Sequence, residues 1–267
     1  MKVDFDPSIF SLGPLEVRWY GLMYVVAFIV GGLIAKKLCR MNFMKLDEEK
    51  VDSLVTHLII SMFLGARMAY VFIYNWNYFS QNLHEVFFVW QGGLSFHGAL
   101  AGMLVGGYLF ARKHGISWAQ TMDTVALSGA QGLFFGRIGN FINGELYGRV
   151  TDAPIGMIFA NGGPYPRHPS QLYEACAEGL LLMMILWFLL PRVKFYGTLS
   201  AVFIVGYGTF RFFIEFFRQP DPQLGYFFAG TLTMGQILCL IMIVVGIAAY
   251  FLARKINEPV NLEQKAS

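Results

Sequence analysis

The chain alternates between long apolar runs and short polar breaks. Seven runs approach the twenty or so apolar residues a helix needs to cross a hydrocarbon core: residues 19–37, 53–74, 92–112, 119–140, 171–190, 196–217 and 234–254. The breaks between them are short, except for residues 141–170. That stretch holds Gly144, Gly148, Gly156, Gly162, Gly163, Pro154, Pro164, Pro166 and Pro169, which favours a folded loop over a helix. The pattern predicts an all-α integral membrane protein. It has one polytopic domain over residues 1–267, seven spans, and a small Gly/Pro-rich cap at 141–170 between spans 4 and 5.

Composition agrees. Of 267 residues, 56% are hydrophobic and only 14% charged, against about 25% charged in a soluble domain. Mean hydropathy is +0.52. One ordinary globular core is excluded. With 16% aromatic residues, so is disorder. No three- or seven-residue period supports collagen or a coiled coil. Cys39, Cys176 and Cys239 are far apart and odd in number, so neither a disulfide frame nor a metal site is expected. Residues 1–11 lack a cationic start followed by an apolar run, so no cleaved leader is expected and the first span must direct its own insertion.

Charge sets the direction. Lys36, Lys37, Arg40, Lys45, Lys50, Arg112, Lys113, Arg192, Lys194, Arg254, Lys255 and Lys265 fall on one side of the seven spans. Lys2, Arg18, Arg149, Arg167 and Arg218 fall on the other. The richer side is cytoplasmic. The N-terminus and the 141–170 cap are then outside, and the C-terminus is cytoplasmic. The net charge of +3 is a topology signal and not a nucleic-acid footprint.

On this topology the buried polar groups gather at the outer leaflet. Arg67, His97, Arg137, Asn140, Gln171, Glu174, Glu178, Arg211, Glu215 and Arg218 come from five spans, whereas the inner half holds little beyond His57 and Asp123. An ionisable group inside a membrane is costly and points to function. A one-sided polar cavity does not suit a pump or channel. Tyr207, Arg211, Glu215 and Arg218 recur at i, i+4, i+8 and i+11 on one helical face, and Gln171, Glu174 and Glu178 form a second stripe. Gly98, Gly102 and Gly106, then Ser128, Gly132 and Gly136, are small-residue stripes for close helix packing. Blander readings are also assigned. Arg211–Glu215 could be a packing ion pair. Arg67 could pair with Glu174 or Glu178. His57 reads as a core histidine, and His84 and His114 as solvated. His168 reads as the entry to a helix with Ser170 as N-cap.

The run Gly136-Arg137-Ile138-Gly139-Asn140-Phe141-Ile142-Asn143-Gly144-Glu145-Leu146-Tyr147-Gly148 puts an Arg, two Asn, a Glu and four Gly between Gly136 and Gly148 at one helix exit. Arg offers a planar fork for phosphate oxygens, and Asn and Glu can bind hydroxyls. The run suits a lipid phosphate headgroup. It resembles the signature G-R-x-G-N-F-x-N-x-E-x-x-G of the bacterial prolipoprotein diacylglyceryl transferases. The resemblance extends to Arg18-Trp19-Tyr20-Gly21-Leu22-Met23-Tyr24, Gly92-Gly93-Leu94-Ser95-Phe96-His97-Gly98, Pro166-Arg167-His168-Pro169-Ser170-Gln171-Leu172-Tyr173-Glu174, Gly206-Tyr207-Gly208, and Arg211 through Glu215-Phe216-Phe217-Arg218-Gln219-Pro220.

The resemblance implies transfer of the diacylglyceryl group of phosphatidylglycerol to the lipobox cysteine of a preprolipoprotein, before signal-peptide cleavage. A thioether forms and glycerol phosphate leaves, without nucleotide, metal or other cofactor. It also implies seven spans with the N-terminus outside, in the bacterial inner membrane. Within that chemistry a thiol needs a base, and an imidazole, titrating near neutrality, suits it. His97 is the candidate. Arg137 and Arg211 would hold the phosphate and take up the charge that grows on it. Asn140, Asn143 and Glu145, with Gly148, would orient the glycerol headgroup. Tyr20 and Tyr207 would line the cavity, and Glu215 and Arg218 would complete the lipid site. The expected partners are the lipid, the signal peptide and the bilayer, with no nucleic acid and a monomeric protein. A phospholipid transporter would need a polar route to the inner leaflet. An intramembrane Ser–His protease does not fit, because Ser95 and His97 at i,i+2 point to different helix faces.

Overall fold

The computed structural model describes residues 1–12, 15–219, 226–227 and 232–260. Helices occupy all seven apolar runs: α1 Trp19–Arg40, α2 Glu48–Tyr74, α3 Phe96–His114, α4 Trp118–Ile142, α5 Ser170–Arg192, α6 Thr198–Ile214 and α7 Met234–Ile256. By length and composition α1, α2, α5 and α7 can each cross a bilayer, and α6 is a shorter apolar helix. The glycines and polar residues of α3 and α4 dilute their apolar character, although these helices are 19 and 25 residues long. Val25, Ile29 and Leu33 lie exposed along one face of α1. Glu174, Glu178 and Asp123 are fully buried. Apolar surface outside and charge inside is the arrangement of a protein solvated by lipid. The protein is a predominantly helical integral membrane protein.

The described residues fall into two units, one of 1–34 and 123–260, the other of 35–122. In the first, α6 packs along α7, with Gly208 against the Cys239 carbonyl and Gly246 against Val205. Gly179 of α5 receives the Phe134 backbone of α4. Gln131 of α4 donates to the Ala27 carbonyl of α1 at 2.8 Å. Asp123 accepts from Gly197 N at 2.8 Å and from Ser200 N and Oγ at 2.7 Å. It therefore caps α6 from another helix.

In the second unit α2 and α3 cross at the expected glycine stripe. The Gly102 backbone lies 2.8 Å from where a Cβ on Gly65 would stand, and a Cβ on Gly98 or Gly102 would strike the carbonyls of Gly65 or Ser61. The second stripe packs at only part of its length. Gly31 of α1 meets the Ser128 carbonyl, but Gly136 faces open space. Half-buried His57 bonds the Ser53 carbonyl and packs edge-on against Phe110.

The fold is mostly helical, in keeping with the all-α expectation, and three short strand pairs among the described residues accompany the helices. Lys2–Val3 (β1) runs parallel to Ile158–Phe159 (β4). Ser8–Leu12 (β2) pairs antiparallel with Leu15–Arg18 (β3), and Tyr226–Phe227 (β5) with Leu232–Thr233 (β6). Span 3 starts at Phe96 and not at Gly92, because Gly92 and Gly93 take φ of 87° and 81° and Ser95 caps Gly98 N at 3.2 Å. Arg67, for which Glu174 or Glu178 is the expected partner, binds backbone within its own unit. It donates to the carbonyls of Glu85, Val86, Gly92 and Gly93 at 2.7–3.1 Å and so braces the α2–α3 connection. Ser170 is the first helical residue of α5 and not its cap, and its hydroxyl donates to the Leu146 carbonyl at 3.0 Å. Lys265 and Pro220 lie outside the described residues.

Candidate active site

The first unit gathers three arginines and three glutamates where the end of α4, the start of α5 and the end of α6 meet. Arg137, in the last two turns of α4, meets Glu174 Oε2 through Nε at 2.6 Å. Arg211, in the last turn of α6, meets Glu174 Oε1 at 3.0 Å through Nη1 and Glu215 Oε2 at 3.0 Å through Nη2. Arg218 reaches Glu174 Oε1 at 3.2 Å and Glu215 Oε2 at 3.8 Å. Glu178 stands farther off, 3.6 Å from Arg137 Nη2 and 4.0 Å from Arg211 Nη1. Thr233, which caps α7, donates to Glu215 Oε1 at 3.2 Å. The helical spacing of Arg211 and Glu215 thus closes into an ion pair, although the α-helix stops at Ile214 and the chain turns through 215–217.

Helix α5 makes this cluster possible by an irregularity. It becomes a π-helix over Ala175–Leu181. A π turn holds an extra residue and re-aims the side chains after it, and such turns occur often at functional sites. Glu174 precedes the turn and Glu178 lies inside it. Both carboxylates face the arginines.

The motif after Arg137 folds back on itself. Asn140 Nδ2 and Asn143 Nδ2 donate to the same Glu145 oxygen, Oε1, at 2.8 and 3.2 Å. Gln171 Nε2 holds the Glu145 carbonyl at 2.6 Å. Gly148 donates its N–H to the His168 carbonyl, and a Cβ there would strike the Phe217 carbonyl and His168. Its place is a three-way backbone crossing of 148–149, 167–168 and 217–218. Arg149 and Arg167 tie the same crossing by donating to the Arg218 and Gly148 carbonyls at 2.8 and 3.2 Å. His168 packs edge-on against Phe217 and reaches Tyr173 Oη at 3.1 Å, and burial pushes its imidazole below the usual range.

A cavity of about 590 Å³ opens beside this motif. Tyr20, Asn140, Asn143 and Glu145 line it, together with Glu16 and Arg18 of β3. Tyr20 bonds Tyr24 Oη to Oη at 3.0 Å, and its ring lies against Gly139. Glu16 and Arg18 pair at 2.6 Å. Tyr207 lies on α6 one turn before Arg211, its ring stacked on Phe203.

Of the residues singled out from sequence, Arg137, Arg211, Glu215 and Arg218 form the ionic cluster, and Tyr20, Asn140, Asn143 and Glu145 form the cavity wall. Gly148 packs backbone. His97 belongs to the second unit. It is exposed in the first turn of α3 with its ring edge-on to Phe96. Two groups of residues escaped the sequence-based site. Glu174 and Glu178 were visible as a polar stripe, and their burial makes them the centre of the charge cluster. Glu16 and Arg18 carried a weaker signal, the alternation Leu-Glu-Val-Arg of a strand. No group of three or more His, Cys, Asp or Glu among the described residues is arranged to hold a metal ion.

A family model described as prolipoprotein diacylglyceryl transferase matches residues 7–252. The chain belongs to the prolipoprotein diacylglyceryl transferase family. Its relatives are similar over nearly their whole length. A phosphatidylglycerol–prolipoprotein diacylglyceryl transferase of Oleidesulfovibrio alaskensis is 47% identical over 251 residues, 94% of each chain. One of Nitratidesulfovibrio vulgaris is 46% identical, covering 91% of this chain and 92% of its own. One of Pseudomonas aeruginosa is 44% identical, covering 92% of each. The matched region takes in both the ionic cluster and the cavity wall.

Proposed function

We infer that this chain transfers the diacylglyceryl group of phosphatidylglycerol to the lipobox cysteine thiol of a preprolipoprotein, making a thioether and releasing glycerol phosphate. The observation that carries the reading is the convergence of Arg137 and Arg211 on the two oxygens of one carboxylate, Glu174. Two guanidinium groups that can share a carboxylate can share a phosphate, whose oxygens present similar acceptors. They bind the lipid diester and take up the charge that develops as the glyceryl C–O bond breaks. Asn140, Asn143 and Glu145 then receive the headgroup glycerol in the cavity. Both Asn amides occupy Glu145 Oε1, leaving Oε2 for a headgroup hydroxyl. Tyr20 and Tyr207 wall the site, Gly148 holds the crossing behind it, and Glu215 and Arg218 complete the arginine frame. His97 is the base for the thiol, on the chemistry of its imidazole.

The seven helices are seven spans of one membrane domain. The N-terminus and residues 141–170 face the periplasm and the C-terminus faces the cytoplasm, as the excess of Lys and Arg in the alternate loops supports. The protein works as a monomer in the inner membrane, on the periplasmic leaflet.

The test uses purified protein, phosphatidylglycerol and a synthetic lipobox peptide followed by mass spectrometry. A lipid-dependent gain of one diacylglyceryl unit, absent from a Cys→Ser peptide, is expected. No gain while the lipid still binds would overturn the reading. Arg137→Ala is expected to lower kcat about 10²–10³-fold, the scale of losing one donor to a developing oxyanion. A wild-type rate in His97→Gln would move the base elsewhere.

A further inference from the structure

Glu178 is the one member of the charge cluster that the mechanism above does not use, and it is the least supported. It is fully buried, and neither of its oxygens accepts a hydrogen bond from a described residue. Its shortest ion-pair distance is 3.6 Å, against 2.6 Å for Glu174 and 3.0 Å for Glu215. Glu174 accepts from Arg218, and Glu215 accepts from Thr233. Glu178 has nothing comparable among the described residues.

Charge conservation makes this matter. With Arg137, Arg211 and Arg218 cationic and Glu174, Glu178 and Glu215 anionic, the cluster is neutral. A bound phosphodiester adds one negative charge, and a departing phosphate monoester adds a second. A buried site surrounded by lipid tolerates such an excess poorly. When carboxylates share a site, the one with the fewest donors is the one that takes a proton. Among the described residues, the groups within electrostatic reach of Glu178 include Arg137 of α4, Glu174 of its own helix, Tyr207 and Arg211 of α6, Arg218 beyond α6, and Cys239 of α7.

We propose that Glu178 takes up one proton as the lipid phosphate engages Arg137 and Arg211, and returns that proton to the departing glycerol phosphate. The inference rests on the transferase reading. The steps balance. On binding, the Glu178 carboxylate and one proton from solvent give the neutral acid. In the transfer, the thiolate sulfur bonds to the glyceryl carbon, and the C–O electron pair goes to the phosphate oxygen. That phosphate, now a dianion, receives the Glu178 proton and leaves as the monoanion. Glu178 is again a carboxylate and the cluster is again neutral.

The test counts protons. Titrating the protein with phosphatidylglycerol micelles, in two buffers of different ionisation enthalpy, gives the protons taken up per lipid bound. Phosphatidylcholine serves as the control lipid. About one proton is expected for the wild type and none for Glu178→Gln, whose neutral amide mimics the acid and keeps lipid binding. In turnover, Glu178→Gln is expected to keep KM within about threefold and lose about 10²-fold in kcat, the scale of a lost general acid. Glu178→Asp should restore both uptake and rate. A purely structural role would lower binding and rate together and leave the proton count unchanged. No uptake in the wild type, or undiminished uptake in Glu178→Gln, would overturn the proposal. If Glu178→Gln fails to assemble, the infrared band of a protonated carboxyl decides. It should appear in the wild type on lipid binding and shift in Glu178→Asp, and its absence overturns the proposal. A wild type that neither binds nor uses phosphatidylglycerol would bring down the transferase reading itself, whereas transfer without proton uptake would bring down only this step.

Discussion

At the scale of the residue, Glu174 is the pivot. One carboxylate meets Arg137, Arg211 and Arg218, and its side chain is fully buried. Breaking one partner out of a buried ion-pair network costs about 3–5 kcal/mol, because the remaining charges stay buried and uncompensated. Glu174→Gln keeps the shape and removes the charge. It is expected to lower the unfolding free energy in detergent by that amount and to scatter the arginine forks, so transfer should fall with it. Chemical denaturation and the peptide assay read the two effects separately, and an unchanged stability would show the arginines to be held by other contacts. The arginines themselves were legible in the sequence, since cations at helical spacing inside apolar runs have few places to go. Arg67 was legible only as buried. Its partners are four backbone carbonyls, 18 to 26 residues away in the chain, and spacing carries no sign of them.

At the scale of the element, glycine positions separate packing from chemistry. A Cβ on Gly65 would stand 2.8 Å from the Gly102 backbone and would also strike the Gly98 carbonyl, so α2 and α3 would have to move apart. Gly65→Ala is expected to destabilise the protein by about 1–3 kcal/mol, the range of overpacked cores. Gly136→Ala meets nothing within 4 Å and should leave the melting temperature unchanged or slightly raised, although it adjoins Arg137. Melting both variants side by side tests the contrast, and equal losses would contradict it. The small-residue spacing announced both stripes but could not say which glycine has a neighbour. The π segment of α5 was not legible either. Ala175–Leu181 reads as an ordinary apolar helix, and the extra residue in its turn is favoured by where Glu174 and Glu178 must point.

At the scale of the whole molecule, the seven apolar runs are the chain's strongest signal, and a helix lies in each. The proposed direction can be read in intact cells. In a protein whose Cys39, Cys176 and Cys239 are replaced by Ser, a cysteine at Thr151 should react with a membrane-impermeant thiol reagent, and one at Lys45 should react only after the inner membrane is opened. The reverse pattern would invert the topology. The cytoplasmic placement of Lys45 rests on the clustering of Lys and Arg in alternate loops, a property of the sequence that needs no fold.

The sequence by itself determined the class of protein, the position of its helices, and the arginines and glutamates that no bilayer would accept without partners. Those follow from the transfer of side chains out of water, which depends on residue type and run length. Tertiary structure alone decided which carboxylate each arginine holds, that Gly148 packs backbone, that the strand β3 brings Glu16 and Arg18 to a cavity wall, and that no described residue donates to Glu178. These depend on distances of a few ångströms between segments far apart in the chain. A hydrogen bond or close ion pair is made or lost over less than one ångström, and no periodicity in the sequence resolves that.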